Sequence, residues 1–447
     1  MSDPLPVLYR TIRRFNPASF EFINLLEEFE RNQWLSQEEL AARRLDRIRA
    51  LVRYAYENVP YYHDLYTRNH VHPSDLKNLV DFQNLPFLTK EEVVNNLDRL
   101  VAPARHGKLS LMETGGSTGM PLRCFIDNSY WAWMSAFEWL GRSWYGVREG
   151  EKIAWFWGAQ PDLPHHGWLA FLKARIKQHR FLNVQYLTRD RMQAFAEMLV
   201  HWHPTMFLGY PSSIYLFARY VRENRITGIR PKLIEVTSEK FQDSHRQLIE
   251  DVFQCRTANA YGTREIGSIA FQCEAGHLHV TEGCHLEVIA NGKPAQAGQT
   301  GEVVLTSLHQ YGMPFIRYRI MDAAVAKSDP CLCGRGLPVL HELTGRTASF
   351  IVTSDGQYTD ESFFEYAFQV KPEIARYQVY QPDPDQIEVR LVLRQKVDPA
   401  WLDELYKELQ KPFGSKLRIA VKIVDEIPLT SSGKLLSVIS DVPSDFI

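Results

Sequence analysis

Residues 205–225 read TMFLGYPSSIYLFARYVRENR. A short apolar run is closed by Gly209 and Pro211, and a helical segment follows directly. The same texture recurs on both sides. KIAWFWG at 152–158, FLNVQYL at 181–187 and LIEVTS at 233–238 are apolar runs of strand length, and RMQAFAEMLVHWH at 191–203 is a helical segment between them. Strands alternating with helices predict stacked α/β layers built on a largely parallel sheet.

Upstream, residues 19–59 (SFEFINLLEEFERNQWLSQEELAARRLDRIRALVRYAYENV) space their apolar residues by three and four, which predicts helices. Thr89 ahead of Lys90, Glu91 and Glu92 has the form of a helix cap. Downstream, residues 278–327 alternate apolar and polar positions between NG, AG and YG turns, a β-rich texture. After Gly345 the pattern restarts as a small α+β unit. FIVTSDGQYTDESFFEYAFQV gives a strand, a DG turn and a helix; ARYQVYQ and QIEVRLVLR give paired strands; PAWLDELYKELQKPF gives a helix and RIAVKIVDEIP a last strand. The expected architecture is a large, multi-lobed α/β body over 1–345 with a β-rich segment, then a small α+β lid over 346–447.

The chain's 447 residues, 45% hydrophobic and 23% charged, match a soluble globular protein rather than a disordered one. Lys and Arg total 51 against 53 Asp and Glu, a formal charge of -2, so no basic field marks it as a nucleic-acid binder. Mean hydropathy is -0.29 and no long uncharged apolar run occurs, so a membrane span is not expected. The start, MSDPLPVLYRTIRRF, lacks the apolar core of a secretory signal. A cytoplasmic enzyme is the expectation. Six cysteines in such a chain do not suggest a disulfide framework.

The strongest local signal is Thr114-Gly-Gly-Ser-Thr-Gly-Met-Pro-Leu122. Glycines permit tight turns whose N–H groups converge on an anion, and Ser117 and Thr118 add hydroxyls, so the stretch reads as a phosphate cradle. It is not a P-loop, because Met120 follows Gly119 where lysine is required.

That motif resembles the phosphate loop of the adenylate-forming (acyl-CoA synthetase) superfamily, and four further blocks follow in the superfamily's order. Ala260-Tyr-Gly-Thr-Arg-Glu265 resembles YGxTE, Pro314-Phe-Ile-Arg-Tyr-Arg-Ile-Met-Asp322 resembles RYRTGD, Leu343-Thr-Gly-Arg346 resembles the GR hinge block, and Pro428-Leu-Thr-Ser-Ser-Gly-Lys434 resembles the C-terminal lysine block. NVPYYHDLY, LPFLTKEE, GYPSSIYLFARY and CLCGRGLPVLHELTGR place the likeness in the phenylacetate-CoA ligase branch with its capsule-biosynthesis (CapK-like) relatives.

The resemblance implies chemistry. An ATP-dependent ligase activates a carboxylic acid, aromatic or aryl-acetic, to an acyl-adenylate with release of pyrophosphate, then passes the acyl group to CoA. It implies that Thr114, Gly115, Gly116, Ser117, Thr118 and Gly119 hold the phosphates. Tyr261 packs on adenine within the Ala260–Thr263 stretch that includes Gly262, and Ser238 and Glu239 form an adenine-side turn. Glu265 holds Mg²⁺, an oxygen-seeking ion, Asp322 takes the ribose hydroxyls, and Arg346 lies near ribose or phosphate. Lys434, on a mobile C-terminal domain, neutralises charge growing between carboxylate and α-phosphate. Arg264 stands where the branch has Thr or Ser and offers the phosphates a fixed guanidinium fork; Thr263 supplies the displaced hydroxyl.

Two departures bear on this. Met321 replaces the glycine before the ribose-binding aspartate, implying a less demanding turn or a shifted nucleotide. The aspartate after the GR block is absent, since Arg346 is followed by Thr347. That loss weakens CoA transfer more than adenylation, so an amine or hydroxyl acceptor is the rival, and a nucleotide-binding scaffold without turnover the third reading. A homodimer is a further expectation among the partners.

Cys331 and Cys333, joined with Cys273 and His279 (or His277), make a Cys₃His set suited to structural zinc, although one residue between cysteines is tighter than usual; free thiols are the alternative. Trp131, Trp133, Trp139, Trp144, Trp155 and Trp157 read as core packing ahead of an acyl pocket. His165, His166, His201 and His203 read as surface or packing residues.

Overall fold

The computed structural model describes residues 19–105, 107–113, 122–157, 177–184, 189–326, 330–346, 351–354, 358–359, 364, 367–368, 371–411, 413, 417–428 and 435–442. These divide into two compact units. The first comprises Met1–Glu287, Val304–Ile320 and Lys327–Glu342; the second comprises Val288–Val303, Met321–Ala326 and Leu343–Ile447. One break falls at 342–343, and the second unit also takes two stretches from the β-rich segment. A boundary read as one cut in sequence misses this, because strands of that segment run from one unit's residues into the other's.

The first unit opens with helices α1 (Phe20–Asn32), α2 (Gln37–Asn58) and α3 (Pro60–Arg68), followed by the short α4 (Leu79–Phe82) and α5 (Lys90–Asn95). Ser36 caps α2, with Glu39 reaching back to the Ser36 N–H at 2.9 Å. Thr89 caps α5 in the same reciprocal way: its Oγ1 accepts the Glu92 N–H at 3.2 Å and Glu92 accepts the Thr89 N–H at 2.7 Å. Strands β1 (Ser110–Glu113) and β2 (Arg123–Ile126) pair antiparallel, and α6 (Asn128–Trp144) starts at the Asp127 cap.

The α/β core then alternates as the 205–225 texture predicts: β3 (Ile153–Trp157), β4 (His179–Asn183), α7 (Arg189–Trp202), β5 (Met206–Gly209), α8 (Pro211–Glu223), β6 (Leu233–Thr237), α9 (Asp243–Phe253), β7 (Arg256–Thr263), β8 (Gly267–Gln272) and β9 (Leu278–Val280). In the sheet they lie in the order β9-β8-β7-β6-β5-β3-β4. Strands β4, β3, β5, β6 and β7 are parallel, while β8 and β9 run antiparallel. Both faces are covered, as a parallel sheet requires. Phe156, Phe207, Ile234 and Val236 meet Phe195, Ile214, Phe217 and Phe253 on one face; Ile153, Met206, Leu208 and Leu233 meet Phe22, Phe29, Phe137 and Leu140 on the other. Gly209 is required where β5 closes on β3, since a Cβ there would lie 2.4 Å from the Phe156 carbonyl oxygen.

An ion pair crosses the second face. Arg142 of α6 donates to both oxygens of Glu235 on β6 at 2.6 and 3.0 Å, and Glu138 approaches at 3.3 Å. Both members of the main pair are buried, so losing the Glu235 carboxylate would leave the guanidinium with Glu138 alone, a destabilising change for a buried charge. The pair fixes α6 against the strand that leads into Ser238 and Glu239.

The chain continues through β10 (Cys284–Ala290), β11 (Lys293–Pro294), β12 (Thr300–Ser307), β13 (Tyr318–Ala326) and β14 (Val339–Arg346). Asn291 and Gly292, at φ 52° and 70°, make the tight hairpin foreseen from the NG pair. Arg317 is a buried clamp: it pairs with Glu287 at 3.0 and 3.1 Å, donates to the carbonyls of Gln83 and Leu85 and lies over Phe87.

In the second unit β15 (Ile351–Val352) pairs with β16 (Tyr358–Thr359). A four-stranded sheet has the order β19 (Arg418–Ile423), β18 (Gln386–Leu393), β17 (Ile374–Asp383), β20 (Val438–Ser440). Helix α10 (Pro399–Gln410) is capped by Asp398, and its Leu405 and Leu409 enter a core with Val379, Val389 and Leu391. The reading that ended on RIAVKIVDEIP is corrected by one element, since β20 follows and adds parallel to β17. Three residues in SVIS carry too little pattern to signal a strand.

Burial also sets an acid limit on this fold. His285 is 8% exposed, and burial, aided by Arg44 and Arg317, pushes its imidazole down to about 3. The unfolded chain takes up the proton near 6.5 while the folded chain refuses it, so stability is full above that pH and is lost as pH falls toward the folded value. The slope reaches about 1.4 kcal/mol per pH unit for this one group. Melting temperature should therefore drop as pH is lowered from about 6.5 to 4, and less steeply in His285→Gln. Equal slopes in both proteins would exclude His285 as a source.

Candidate active site and metal centre

The parallel strands β6 and β7 deliver their carboxyl ends to one edge of the sheet, where open α/β folds bind ligands. Ser238, just past β6, is exposed and holds φ 73°. Glu239 beside it accepts the Ser212 N–H at 3.1 Å, tying the turn to the start of α8.

Ala260–Thr263 end β7, and Arg264 and Glu265 lie in the turn to β8. The β7–β8 register shifts between Tyr261 and Gly262. Gly262 has no room for a side chain: a Cβ would lie 2.7 Å from the Gly267 carbonyl oxygen. Thr263 Oγ1 accepts the Ile266 N–H at 3.2 Å. Tyr261, Thr263, Arg264 and Glu265 are all half-buried, so they stand between the core and solvent.

Two side chains that the sequence reading did not select grip this turn by its backbone. The Tyr130 hydroxyl donates to the Arg264 carbonyl at 2.8 Å, and Gln310 Nε2 donates to the Glu265 carbonyl at 2.8 Å. They hold the Glu265 backbone without touching its carboxylate. Carbonyl grips have no residue-type signature, but Gln310 lies four residues before the PFIRYR block and Tyr130 in the first turn of α6.

Asp322, half-buried on β13, belongs to the second unit. The backbone corrects the relaxed-turn half of the Met321 expectation. Its φ is 63°, so the chain keeps the left-handed turn that glycine would serve and places a 42% exposed methionine in it. The turn is as demanding as before; a non-glycine residue bears its strain, about 1–2 kcal/mol. Thr114–Gly119 and Lys434 lie outside the described residues, as do His165 and His166. Arg346 closes β14.

Most of the tryptophans are packing groups: Trp133, Trp139, Trp144 and Trp155 lie against the α6 side of the core, Trp157 against the other side, and Trp131 is 48% exposed. His201 and His203 are exposed.

The Cys₃His residues come together at the end of the β8–β9 hairpin. One ligand atom each from Cys273, His279, Cys331 and Cys333 lies within 4.8 Å of the other three. Cys273 Sγ and Cys331 Sγ are 3.6 Å apart, and Cys333 Sγ is 3.2 Å from His279 Nε2. Tetrahedral zinc with ordinary bond lengths needs edges of roughly 3.5–3.8 Å, so the two short contacts are near that size and the longest separation, within 4.8 Å, closes by up to about 1 Å. His279 Nδ1–H donates to the Leu337 carbonyl at 3.3 Å, leaving the Nε2 lone pair toward the sulfurs, the tautomer a metal ligand needs. His277 Nδ1 also reaches Cys331 Sγ at 3.3 Å, a spare ligand beside the set.

The electrostatics of the cluster are uneven. Burial pushes the Cys273 thiol up to about 12, whereas at Cys333 burial is outweighed by the N–H and guanidinium of Arg335, which hold it below the usual thiol range. Arg335 in turn pairs with Glu274 and Gln33 and lies between Trp34 and Trp144. Gly336 presses on Leu35 so closely that a Cβ would fall 1.8 Å from its carbonyl oxygen. The remaining cysteines, Cys124, Cys255 and Cys284, have thiols pushed up to about 12 by burial, which disfavours the reactive thiolate.

Among the described residues no helix is long and apolar enough to cross a membrane. A family model of the CapK C-terminal domain matches residues 351–441. The protein CapK of Staphylococcus aureus is 23% identical over 87% of this chain and 86% of its own length. The phenylacetate-coenzyme A ligase of Pseudomonas putida is 23% identical over 87% of this chain and 90% of its own. Among solved structures, 2-hydroxyisobutyryl-CoA ligase in complex with 2-HIB-AMP superposes with a TM-score of 0.74 at 19% identity, covering 92% of each chain. An anthranilate CoA ligase in complex with anthranoyl-AMP gives a TM-score of 0.53 at 16% identity over 73% of this chain and 65% of its own. The fold is that of these ligases.

Proposed function

We propose that this chain, which belongs to the adenylate-forming superfamily on its phenylacetate-CoA ligase-like branch, is an AMP-forming acid–CoA ligase. A carboxylate oxygen of the acid attacks the α-phosphorus of ATP; the new O–P bond forms as the bond to the β-phosphate oxygen breaks and pyrophosphate leaves. The acyl carbon is then attacked by the CoA thiolate, and AMP departs.

Two anions must meet in this reaction, so placed charge and donors carry most of the catalysis. Glu265, on a turn held at two successive carbonyls, is the proposed Mg²⁺ ligand; the ion, when bound, screens the phosphates and the departing pyrophosphate. Arg264 adds a guanidinium and Thr263 a hydroxyl for the phosphates. Thr114–Gly119 is the proposed phosphate loop. Ser238, Glu239 and Ala260–Gly262, with Tyr261 on the base, frame the adenine, and Asp322 and Arg346 serve the ribose side. Lys434 arrives from a mobile domain, proposed as residues 346–447. The cytoplasm is the expected setting, and an aromatic or aryl-acetic acid the expected substrate.

The observation that carries the reading is the Arg264–Glu265 turn: a carboxylate on a preorganised backbone at the carboxyl ends of parallel strands. Acid-dependent exchange of pyrophosphate into ATP tests it, with a panel of aromatic and aliphatic acids. Silence across the panel favours a nucleotide-binding scaffold. The CapK likeness supports a second reading of the transfer step alone, with an amine or hydroxyl in place of CoA. Mass analysis for a thioester after adding CoA separates the two.

At the Cys273, His279, Cys331 and Cys333 cluster we place a structural zinc. Four protein ligands leave no open position, so its part is to hold the β8–β9 hairpin to the 331–337 segment.

A further inference from the structure

The turn that follows β12, Ser307-Leu-His-Gln310, carries two buried acceptors that no donor among the described residues meets: His309 Nε2 and Gln310 Oε1. His309 is 7% exposed and Gln310 2%. The ring orientation of His309 is determined. Its Nδ1 lies 3.1 Å from the Gly283 carbonyl oxygen, which can only accept, so Nδ1 bears the hydrogen and Nε2 a bare lone pair. Burial pushes this imidazole down to about 4, so it stays neutral. Trp133 of α6 stacks on it at 5.1 Å and 11°, which fixes the plane in which Nε2 points. Gln310 spends its Nε2 on the Glu265 carbonyl, and that fixes where its Oε1 is.

A buried acceptor left without a donor costs desolvation with nothing returned, and native interiors rarely keep one. Two of them on consecutive residues, one already attached to the Glu265 turn, call for a donor that the described residues do not supply. We propose that His309 Nε2, with Gln310 Oε1 of the next residue, is the specificity determinant of the acid site and selects acids that carry a hydrogen-bond donor, a hydroxyl or amino group, away from the reacting carboxylate. The inference rests on the adenylating role proposed above and names its substrate class. A site that hydrogen-bonds a hydroxyl rejects the analogue that lacks it, because its own polar group is then left buried and unpaired.

The test uses pyrophosphate exchange with matched acids bearing hydrogen, hydroxyl, amino or methoxy at each ring position and at the α-carbon. Methoxy keeps the oxygen but cannot donate. The full chain should favour the hydroxyl or amino acid over its hydrogen and methoxy partners by about 10- to 100-fold in kcat/KM at one position. Two variants follow. His309→Phe keeps the stack on Trp133; His309→Asn can keep the bond to Gly283 while deleting the distal acceptor. In both, the preference should collapse toward one, with melting temperature reported alongside. Exchange without preference in the parent chain overturns the inference, leaves adenylation standing and assigns the acceptors to a bound water. A preference that survives in both variants also overturns it. Silence with every acid overturns the adenylation reading and this one with it.

Discussion

Glu265→Gln is expected to lower acid-dependent pyrophosphate exchange by about 10³-fold while leaving the melting temperature within a degree or so of the parent. The substitution keeps the side chain's size and removes its charge. These two grips on the turn are untouched, because Tyr130 and Gln310 bind the carbonyls of residues 264 and 265 rather than the carboxylate. Loss of activity in a chain of unchanged stability therefore isolates the carboxylate. Raising Mg²⁺ should recover part of the loss if affinity for the ion is what fell. Gln310→Ala gives the contrasting result: the carboxylate stays, its support goes, and a fall of about 10- to 100-fold is expected, mainly in kcat. Exchange by Glu265→Gln above a tenth of the parent rate would remove Glu265 from the mechanism. Lys434→Ala should silence adenylation as well.

The second large effect is at the metal centre. The purified chain should carry one zinc, and Cys273→Ser should lose it together with roughly 10 °C of melting temperature. The cause is the environment of the cluster. Without a cation, burial holds the Cys273 thiol protonated, and three sulfurs and a histidine crowd together with little to attract them. A bound zinc would displace that proton and take one bond from each of the four ligand atoms. Prolonged chelation should reproduce the variant's melting curve in the parent chain, and fresh zinc should reverse it. A parent chain with no stoichiometric metal sinks the assignment. Cys284→Ser provides the control, since that buried cysteine stands outside the cluster and its loss should leave the metal content unchanged.

What was legible in the sequence depended on whether residue type or conformation carried the information. The parallel core was legible at 205–225, because strand and helix periods differ and Gly209 and Pro211 mark the switch. The Cys₃His set was legible because few side chains ligate zinc, even though Cys331 and Cys333 are spaced by only one residue. Tyr130 and Gln310 were not legible, since their role is to bind main-chain carbonyls that any residue supplies. Met321 misled for the opposite reason. Methionine rarely accepts a positive φ, so a relaxed turn was the economical reading, yet the backbone keeps φ 63°. Stretches Val288–Val303 and Met321–Ala326 could not be assigned to the second unit from periodicity, which reports an element's type and not its neighbours.

The proposed zinc site bears on how the chain reaches its fold during synthesis. Cys273 and Cys331 are 58 positions apart, so a metal bridging them ties off a loop that contains β9 through β13. Closing a loop of that length in an unfolded chain removes entropy worth about 4 kcal/mol. The last residue of the set, Cys333, emerges from the ribosome about a hundred residues ahead of Lys434. A nascent chain that captures zinc at that moment has its β-rich segment gathered into a closed loop before the sequence that ends in Lys434 exists.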